Sequence, residues 1–397
     1  MVPSDVKRDS ILGDEYCPPG YRPGPLHIAL VLTDLLGRVP PFKLAFAWLA
    51  LAAIACWPWG DLRLPAAAAS LAFTVIDGVG LALLPRRRRS FGPVTPPLLA
   101  LACIHTALIL AVGLLWGTGA SLALAAALGV AVSSAFLYAT WVEPFQIGVT
   151  QAQLRSAKLN GHTPLRLLHI TDLHVERNTA REEKLLHLVE ELAPDGIVLT
   201  GDYLNLAYVY DADAQTDACA LLARLCDVAG GPIYAITGSP PVDRTDVVPK
   251  IFDGLPIVWL QDEVAEVCIN GHTVRIAGVR CTRERQRDAP RLRHLLRDSP
   301  AHAFTLLLYH SPDLMPEASD LGIDLYLCGH THGGQVRVPI FGALITSSDF
   351  GKRYEMGRYV EGSTTLYVSR GLGMEGFGAP RARFLAPPEI VLWTLSS

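Results

Sequence analysis

Leu167-Leu168-His169-Ile170-Thr171-Asp172-Leu173-His174 decides how the chain is read. An apolar run of strand character, residues 165–170, ends in an acid and an imidazole spaced two apart, so both can project from one turn after the strand. Three more runs end alike. Residues 196–200 lead into Gly201 and Asp202, 304–309 into His310, and 324–328 into Gly329-His330-Thr331-His332. Ligands of an open α/β sheet bind at the carboxyl ends of its strands. Carboxylates and imidazoles converging there form a divalent-metal site. Asp172, His174, Asp202, His310, His330 and His332 are therefore the expected ligands, and metal-dependent hydrolysis is the chemistry they imply.

Working outward, strand and helix alternate. Strands at 165–170, 197–200 and 233–237 enclose helices at 181–192 and 214–229, a βαβαβ pattern with right-handed crossovers. Residues 264–269 and 274–279 then flank Asn270-Gly271, a strong short hairpin signal. A helix at 291–297, two strands ending at His310 and Cys328, and short strands at 366–369 and 390–395 complete the pattern. The mixture predicts two stacked mixed sheets with helices outside, a four-layer α/β/β/α sandwich over residues 151–397.

The N-terminal part has a different composition. Residues 42–141 are almost uncharged and rich in Ala, Leu and Val. They resolve into about four spans, 44–59, 66–84, 97–116 and 120–138, the first short and broken by Pro58. Residues 26–36 are shorter still, contain Asp34, and read as an interfacial helix. The expected division is a tail at 1–41, an all-α transmembrane domain at 42–150, and the α/β domain beyond. Arg86, Arg87, Arg88 and Arg89 sit between the second and third spans and should stay cytoplasmic. An even number of spans then puts both chain ends in the cytoplasm, in a multi-pass protein of the inner (cytoplasmic) membrane. No cleavable signal peptide is evident. Asp77 and His105 fall inside spans and read as polar packing between helices. The eight cysteines show no Cys-x-x-Cys pair and read as scattered reduced thiols.

Asp-x-His, Gly-Asp, a later His and Gly329-His330-Thr331-His332-Gly333-Gly334-Gln335, in this order, resemble the calcineurin-like metallophosphoesterases. Arg337, Pro339, Ser369-Arg370-Gly371-Leu372-Gly373, Pro380, Arg381 and Pro388-Glu389-Ile390 are similar to the membrane-associated bacterial branch. That branch contains phosphodiesterases and UDP-2,3-diacylglucosamine pyrophosphatases. The resemblance covers residues 165–395. It implies two divalent metal ions (Mn, Fe or Zn). Asp172, His174, Asp202 and His332 would hold one, and Asp202, His310 and His330 the other.

One segment departs from the family. After the third strand the family has Asn and His; the Asn ligates the second metal and the His contacts the phosphate. Here the segment reads Gly238-Ser239-Pro240-Pro241. A serine hydroxyl is a shorter and weaker ligand than an amide oxygen, and proline has no side-chain donor. The second site is thus expected to be the weaker, and losing a positioned donor costs about 10²–10⁴ in rate. Asp243, His162 and His272 are the groups expected to compensate if any do. Catalysis is expected to fall on Asp202, His310 and Ser239.

The implied protein is a membrane-embedded phosphoesterase. It would cleave a phosphodiester or pyrophosphate in a phosphorylated small molecule or lipid, nucleotide-linked substrates included, at the cytoplasmic leaflet. The alternative, favoured by Gly-Ser-Pro-Pro, is a catalytically weak or inactive membrane sensor that binds metal. The run Arg280, Arg283, Arg285, Arg287, Arg291, Arg293 and Arg297 reads as a solvated loop and helix face, with attraction to anionic headgroups or phosphate as the functional option. Arg370 and Arg381 read equally as phosphate ligands or as structural partners, and Tyr203 and Asn205 as substrate contacts or loop shapers. No motif or aromatic interleaving supports nucleic-acid binding.

Overall fold

The apolar N-terminal region folds as helices, and the pattern from residue 165 onward folds as alternating strands and helices. A computed structural model of the chain describes Pro18, Tyr21 and residues 23–397. Cys17 and about half of the expected 1–41 tail lie outside the described residues. The chain divides into two units. One holds Gly24–Glu143 with Gly376–Phe384; the other holds Pro144–Glu375 and Leu385–Ser397.

The helical unit contains α1 (Pro25–Asp34), α2 (Pro41–Cys56), α3 (Arg63–Arg86), α4 (Thr95–Leu115) and α5 (Gly119–Trp141). Against the four expected spans, the described residues give three helices long and apolar enough to cross a membrane: Pro41–Arg86, Thr95–Leu115 and Gly119–Phe145. The first joins two expected spans. Pro58 lies in the first turn of a 3-10 stretch, Trp57–Leu62, where its missing N–H breaks no helical bond. Gly60 then bends the run at φ 53°, ψ −122°. Alone, α2 has 16 residues, about 24 Å, short of a ~30 Å hydrocarbon core. Asp77 of α3 and His105 of α4 meet at 3.0 Å, with Ser133 of α5 at 3.3 Å from the same ring nitrogen, so the expected interhelical polar packing is present. Phe73 stacks on the imidazole.

In the second unit the elements run β1 (Gly148–Arg155), β2 (Leu165–Ile170), α6 (Ala180–Leu192), β3 (Gly196–Leu199), α7 (Ala212–Val228), β4 (Ile233–Ala235), α8 (Val248–Phe252), β5 (Ile257–Trp259), β6 (Glu263–Ile269), β7 (His272–Gly278), α9 (Arg285–Leu295), β8 (Phe304–Leu308), α10 (Met315–Asp320), β9 (Leu325–Cys328), β10 (Arg337–Val338), β11 (Gly342–Ala343), β12 (Gly357–Glu361), β13 (Thr364–Val368) and β14 (Glu389–Ser396). One six-stranded sheet has the order β1-β14-β2-β3-β4-β5, the other β12-β13-β9-β8-β7-β6. Both are mixed. Strands β2 to β5 are parallel with β14 antiparallel to β2, and β13, β9, β8 and β7 are parallel between antiparallel edges. The central strands β3, β8 and β9 are buried at every position, as unbroken apolar runs demand.

Three apolar clusters hold this unit. The first packs Leu185, Val189 and Leu221 of α6 and α7 on Leu168, Ile197 and Leu199. The second brings Leu167, Val198 and Trp393 of one sheet together with Ile276, Leu306 and Leu327 of the other. The third packs Leu292 of α9 and Ala318 of α10 with Leu307 and Tyr326. Caps fix the helix starts: Thr179 and Glu182 form a capping box on α6, and Asp211 accepts from the Ala214 N–H at 2.8 Å on α7. Helix α9 starts six residues before the expected 291, because Pro290 is accommodated inside it.

Candidate metal centre

Five of the six expected ligands sit in left-handed backbone. Their φ values are 51° at Asp172, 42° at His174, 57° at Asp202, 72° at His330 and 51° at His332. Each costs about 1–3 kcal/mol for a non-glycine residue. Such strain persists only where the surroundings fix it, and here the strand ends do. The Asp172 N–H donates to Gly201 O and the His174 N–H to Asp202 O, both at 3.0 Å, so the loops after β2 and β3 lock together. Gly201 lies against the backbone of Gly238; a Cβ there would sit 2.2 Å from the Gly238 nitrogen.

The six side chains converge in two groups, Asp172 with His174 and His332, and Asp202 with His310 and His330, all buried. In the first, His174 Nε2 and His332 Nε2 are 3.2 Å apart, and Asp172 Oδ1 lies 3.9 and 3.6 Å from them. In the second, His310 Nε2 is 3.2 Å from His330 Nδ1 and 3.1 Å from Asp202 Oδ2. The same Asp202 Oδ2 is 3.6 Å from His174 Nε2, so this carboxylate faces both groups.

The outer bonds orient the rings toward a cation. His310 Nδ1 is 2.7 Å from Thr200 O and His330 Nε2 is 3.1 Å from Ser347 O. The Nδ1–H that His310 donates to a carbonyl leaves its Nε2 facing the site, while the Arg283 guanidinium lies against His330 Nε2. His310 Nε2 and His330 Nδ1 face each other at 3.2 Å beside the Asp202 carboxylate, a gap that a proton on His310 or a shared cation bridges. The donor set thus fits a divalent metal. Asp172 accepts from the His330 N–H at 3.1 Å and from Thr171 Oγ1 at 2.9 Å. Ser239 N–H donates to Asp202 Oδ1 at 2.6 Å.

Electrostatics follow from burial and proximity. Burial lowers the pKa of His310, but the Asp202 charge and hydrogen bond more than reverse this, to about 9. Burial raises Asp202, but the charges of His310 and His174 and the hydrogen bonds from His310 and the Ser239 N–H together outweigh it, and the net direction is down. Asp172 goes up, mainly through burial. His330 is pushed well below its usual value by burial and then by Arg283.

Ser239 Oγ stands 3.4 Å from His330 Nδ1, at the edge of the second group. None of Asp243, His162 and His272 joins either group. Asp243 accepts instead from the N–H groups of Gly238, Asp202 and Tyr203 at 2.6–3.0 Å, and props the Gly-Asp loop from below. Burial and the Asp202 charge raise its pKa to about 7. His272 bonds to Gly161 and Thr163. Asn205 reaches Met374 O and Tyr203 reaches Ile236 O, both loop-shaping roles. Arg370 pairs with Glu389 at 2.7 Å, and Arg381 belongs to the helical unit.

Arg283 is the residue that sequence reasoning left in the crowd. Its guanidinium touches the His330 ring and donates from Nη2 to Ser347 O at 2.8 Å. Its neighbours in the run are paired elsewhere: Arg280 with Asp262, Arg285 with Glu317, Arg291 with Asp288 and Arg293 with Asp320.

Comparison with known proteins agrees with this geometry. Residues 165–334 match the sequence model of the calcineurin-like phosphoesterases. The metallophosphoesterase YkuE of Bacillus subtilis is 30% identical over 268 residues, 66% of this chain and 89% of that protein. The phosphodiesterase YaeI of Escherichia coli is 29% identical, over 63% of this chain and 90% of its own length. The UDP-2,3-diacylglucosamine pyrophosphatase LpxG of Chlamydia trachomatis is 27% identical, over 65% and 92%. This chain belongs to the calcineurin-like phosphoesterase family.

Proposed function

We propose that the chain is a membrane-embedded, metal-dependent hydrolase of a phosphodiester or pyrophosphate bond. Its substrate is a phosphorylated small molecule or lipid, nucleotide-linked lipids included, at the cytoplasmic leaflet. The observation that carries this is Asp202 Oδ2, 3.6 Å from His174 and 3.1 Å from His310, shared between two groups of buried donors. On this reading Asp172, His174, Asp202 and His332 hold one divalent ion (Mn, Fe or Zn), and Asp202, His310 and His330 a second, weaker one. When bound, such a pair supplies Lewis acidity for the phosphoryl oxygens and acidifies a water. The three clusters across the two sheets support the four-layer reading of the α/β domain. The apolar helices and the Arg86–Arg89 cluster support a multi-pass protein with its α/β domain in the cytoplasm. The LpxG and YaeI relatives support the bond type.

The chain's own residues do the rest. The Thr200 carbonyl orients the His310 ring, and Ser347 O lies against the outer nitrogen of His330. The Ser239 N–H holds Asp202 Oδ1, freeing Oδ2 to face both groups. Arg283 brings positive charge beside His330, where Pro240 offers no donor, and is placed to meet a phosphate oxygen.

A second reading is favoured by Ser239 and Pro240: a weak or inactive sensor that binds metal without turnover. Hydrolysis of bis-p-nitrophenyl phosphate with Mn²⁺ separates the two, since its activated leaving group needs little proton donation. The enzyme reading expects a Mn²⁺-dependent rate well above that of Asp202→Ala. Equal rates would leave only the sensor.

A further inference from the structure

Strands β10 and β11 form a two-stranded ribbon paired with neither six-stranded sheet. Two residue pairs do not hold a hairpin together in water, so its side bonds matter. Arg337 donates to Gly333 O at 2.7 Å and to Glu355 Oε1 at 3.1 Å, while Glu355 Oε2 accepts from the Ala343 N–H at 3.2 Å. One carboxylate thus clamps both legs and holds the tip away from the core.

The tip is apolar. Ile340 is fully exposed, Phe341 is 61% exposed and Leu344 62%, with Val336, Val338 and Ile345 exposed beside them. Ile340 also sits at φ 70°, after Pro339, where turn chemistry asks for glycine. A β-branched residue there costs about 1–2 kcal/mol, and it gains no burial within the chain in return. A contiguous apolar tip held outward at a cost marks an interaction surface.

Charge identifies the partner. Lys352 Nζ lies 3.6 Å from the Phe341 ring centroid and donates to the Phe341 carbonyl. Nearby, Arg337 is paired with Glu355 and Arg353 with Glu361, so the cation standing beside the tip is Lys352. An exposed aromatic and aliphatic tip with a lysine ammonium over its ring suits the headgroup–acyl boundary of an anionic bilayer. The ribbon is tied to the metal centre at both ends. It leaves from His332, and Ser347 beyond its second leg meets His330 and Arg283. Five or six extended residues separate the tip from that loop, about 15–20 Å.

We propose that the hairpin at residues 336–345 inserts Ile340 and Phe341 into the boundary region of an anionic bilayer, so that phosphates of lipids in that face lie within reach of the two Asp–His groups. The insertion stands by itself; its catalytic consequence rests on the phosphoesterase reading above.

The test uses the full chain in nanodiscs of phosphatidylcholine and phosphatidylglycerol, with the photoreactive residue benzoylphenylalanine at position 341, at 344, or at exposed Val258 on edge strand β5 as control. Mass spectrometry then reads the adducts. The expected result is lipid adducts at 341 and 344 on the order of tenfold above the control, as burial of two large apolar side chains implies, falling when phosphatidylglycerol is omitted. Equal yields at 341, 344 and 258, or adducts to protein in place of lipid, overturn the proposal. Separately, the double change Ile340→Asp with Phe341→Asp should keep Mn²⁺-dependent hydrolysis of bis-p-nitrophenyl phosphate. Absence of that hydrolysis in the unaltered protein defeats the phosphoesterase reading and leaves the photolabelling result standing.

Discussion

The two Asp–His groups share a carboxylate but differ in completeness. Asp172, His174 and His332 come from two loops and gain Asp202 as a fourth donor, 3.6 Å from His174. The second group has Asp202, His310 and His330, and where a fourth donor belongs it has Ser239 Oγ at 3.4 Å and the Arg283 guanidinium against His330. One cation site is built from neutral and anionic donors alone. The other has a fixed positive charge at its rim, which repels a metal and attracts a phosphate. On the proposed reading, the difference means that metal affinity and phosphate affinity are traded at this second position.

The largest effect should come from the residue the groups share. Asp202→Ala is expected to lower Mn²⁺-dependent hydrolysis of bis-p-nitrophenyl phosphate by about 10³ or more, as loss of a positioned charged group implies. A rate within tenfold of the unaltered protein would break the idea of a common centre. Next, His332→Ala and His330→Ala should differ. Metal analysis after dialysis should show His332→Ala losing the tightly held ion, with affinity down more than ~100-fold. His330→Ala should leave that ion in place, and equal losses would erase the asymmetry.

Restoring the missing pair is the sharper test. Ser239→Asn with Pro240→His should raise the rate by about 10–100-fold if the site is merely impaired. An unchanged rate would show that Arg283 already fills the role. The smallest effect belongs to Arg283→Ala. A phosphate-binding role predicts KM up by about 3–10-fold with kcat little changed, while second-site Mn²⁺ affinity rises. A fall in Mn²⁺ affinity would mean that the guanidinium supports the site instead of competing with it.

The strand ends carried most of what could be read in advance. Asp172, His174, Asp202, His310, His330 and His332 follow short apolar runs of strand character, so their place at strand ends was legible from the pattern, and the fold brings them together. Strand β1 was not, because Val149-Thr150-Gln151-Ala152-Gln153-Leu154 carries few large apolar side chains and its pairing partner, β14, lies more than two hundred residues away. Helix α9 was misplaced because Pro290 reads as a breaker, although the helix accommodates it. Two expected spans merged because Pro58 falls at a helical start. Arg283 looks like its neighbours in sequence, and only the fold shows that its partner is His330, 47 residues on.

Titration calorimetry of Mn²⁺ into the metal-stripped full-length protein tests the central claim most directly. Two binding events are predicted, with affinities at least about tenfold apart, both abolished by Asp202→Ala. No binding, or binding that survives Asp202→Ala unchanged, would contradict a metal centre built around that carboxylate.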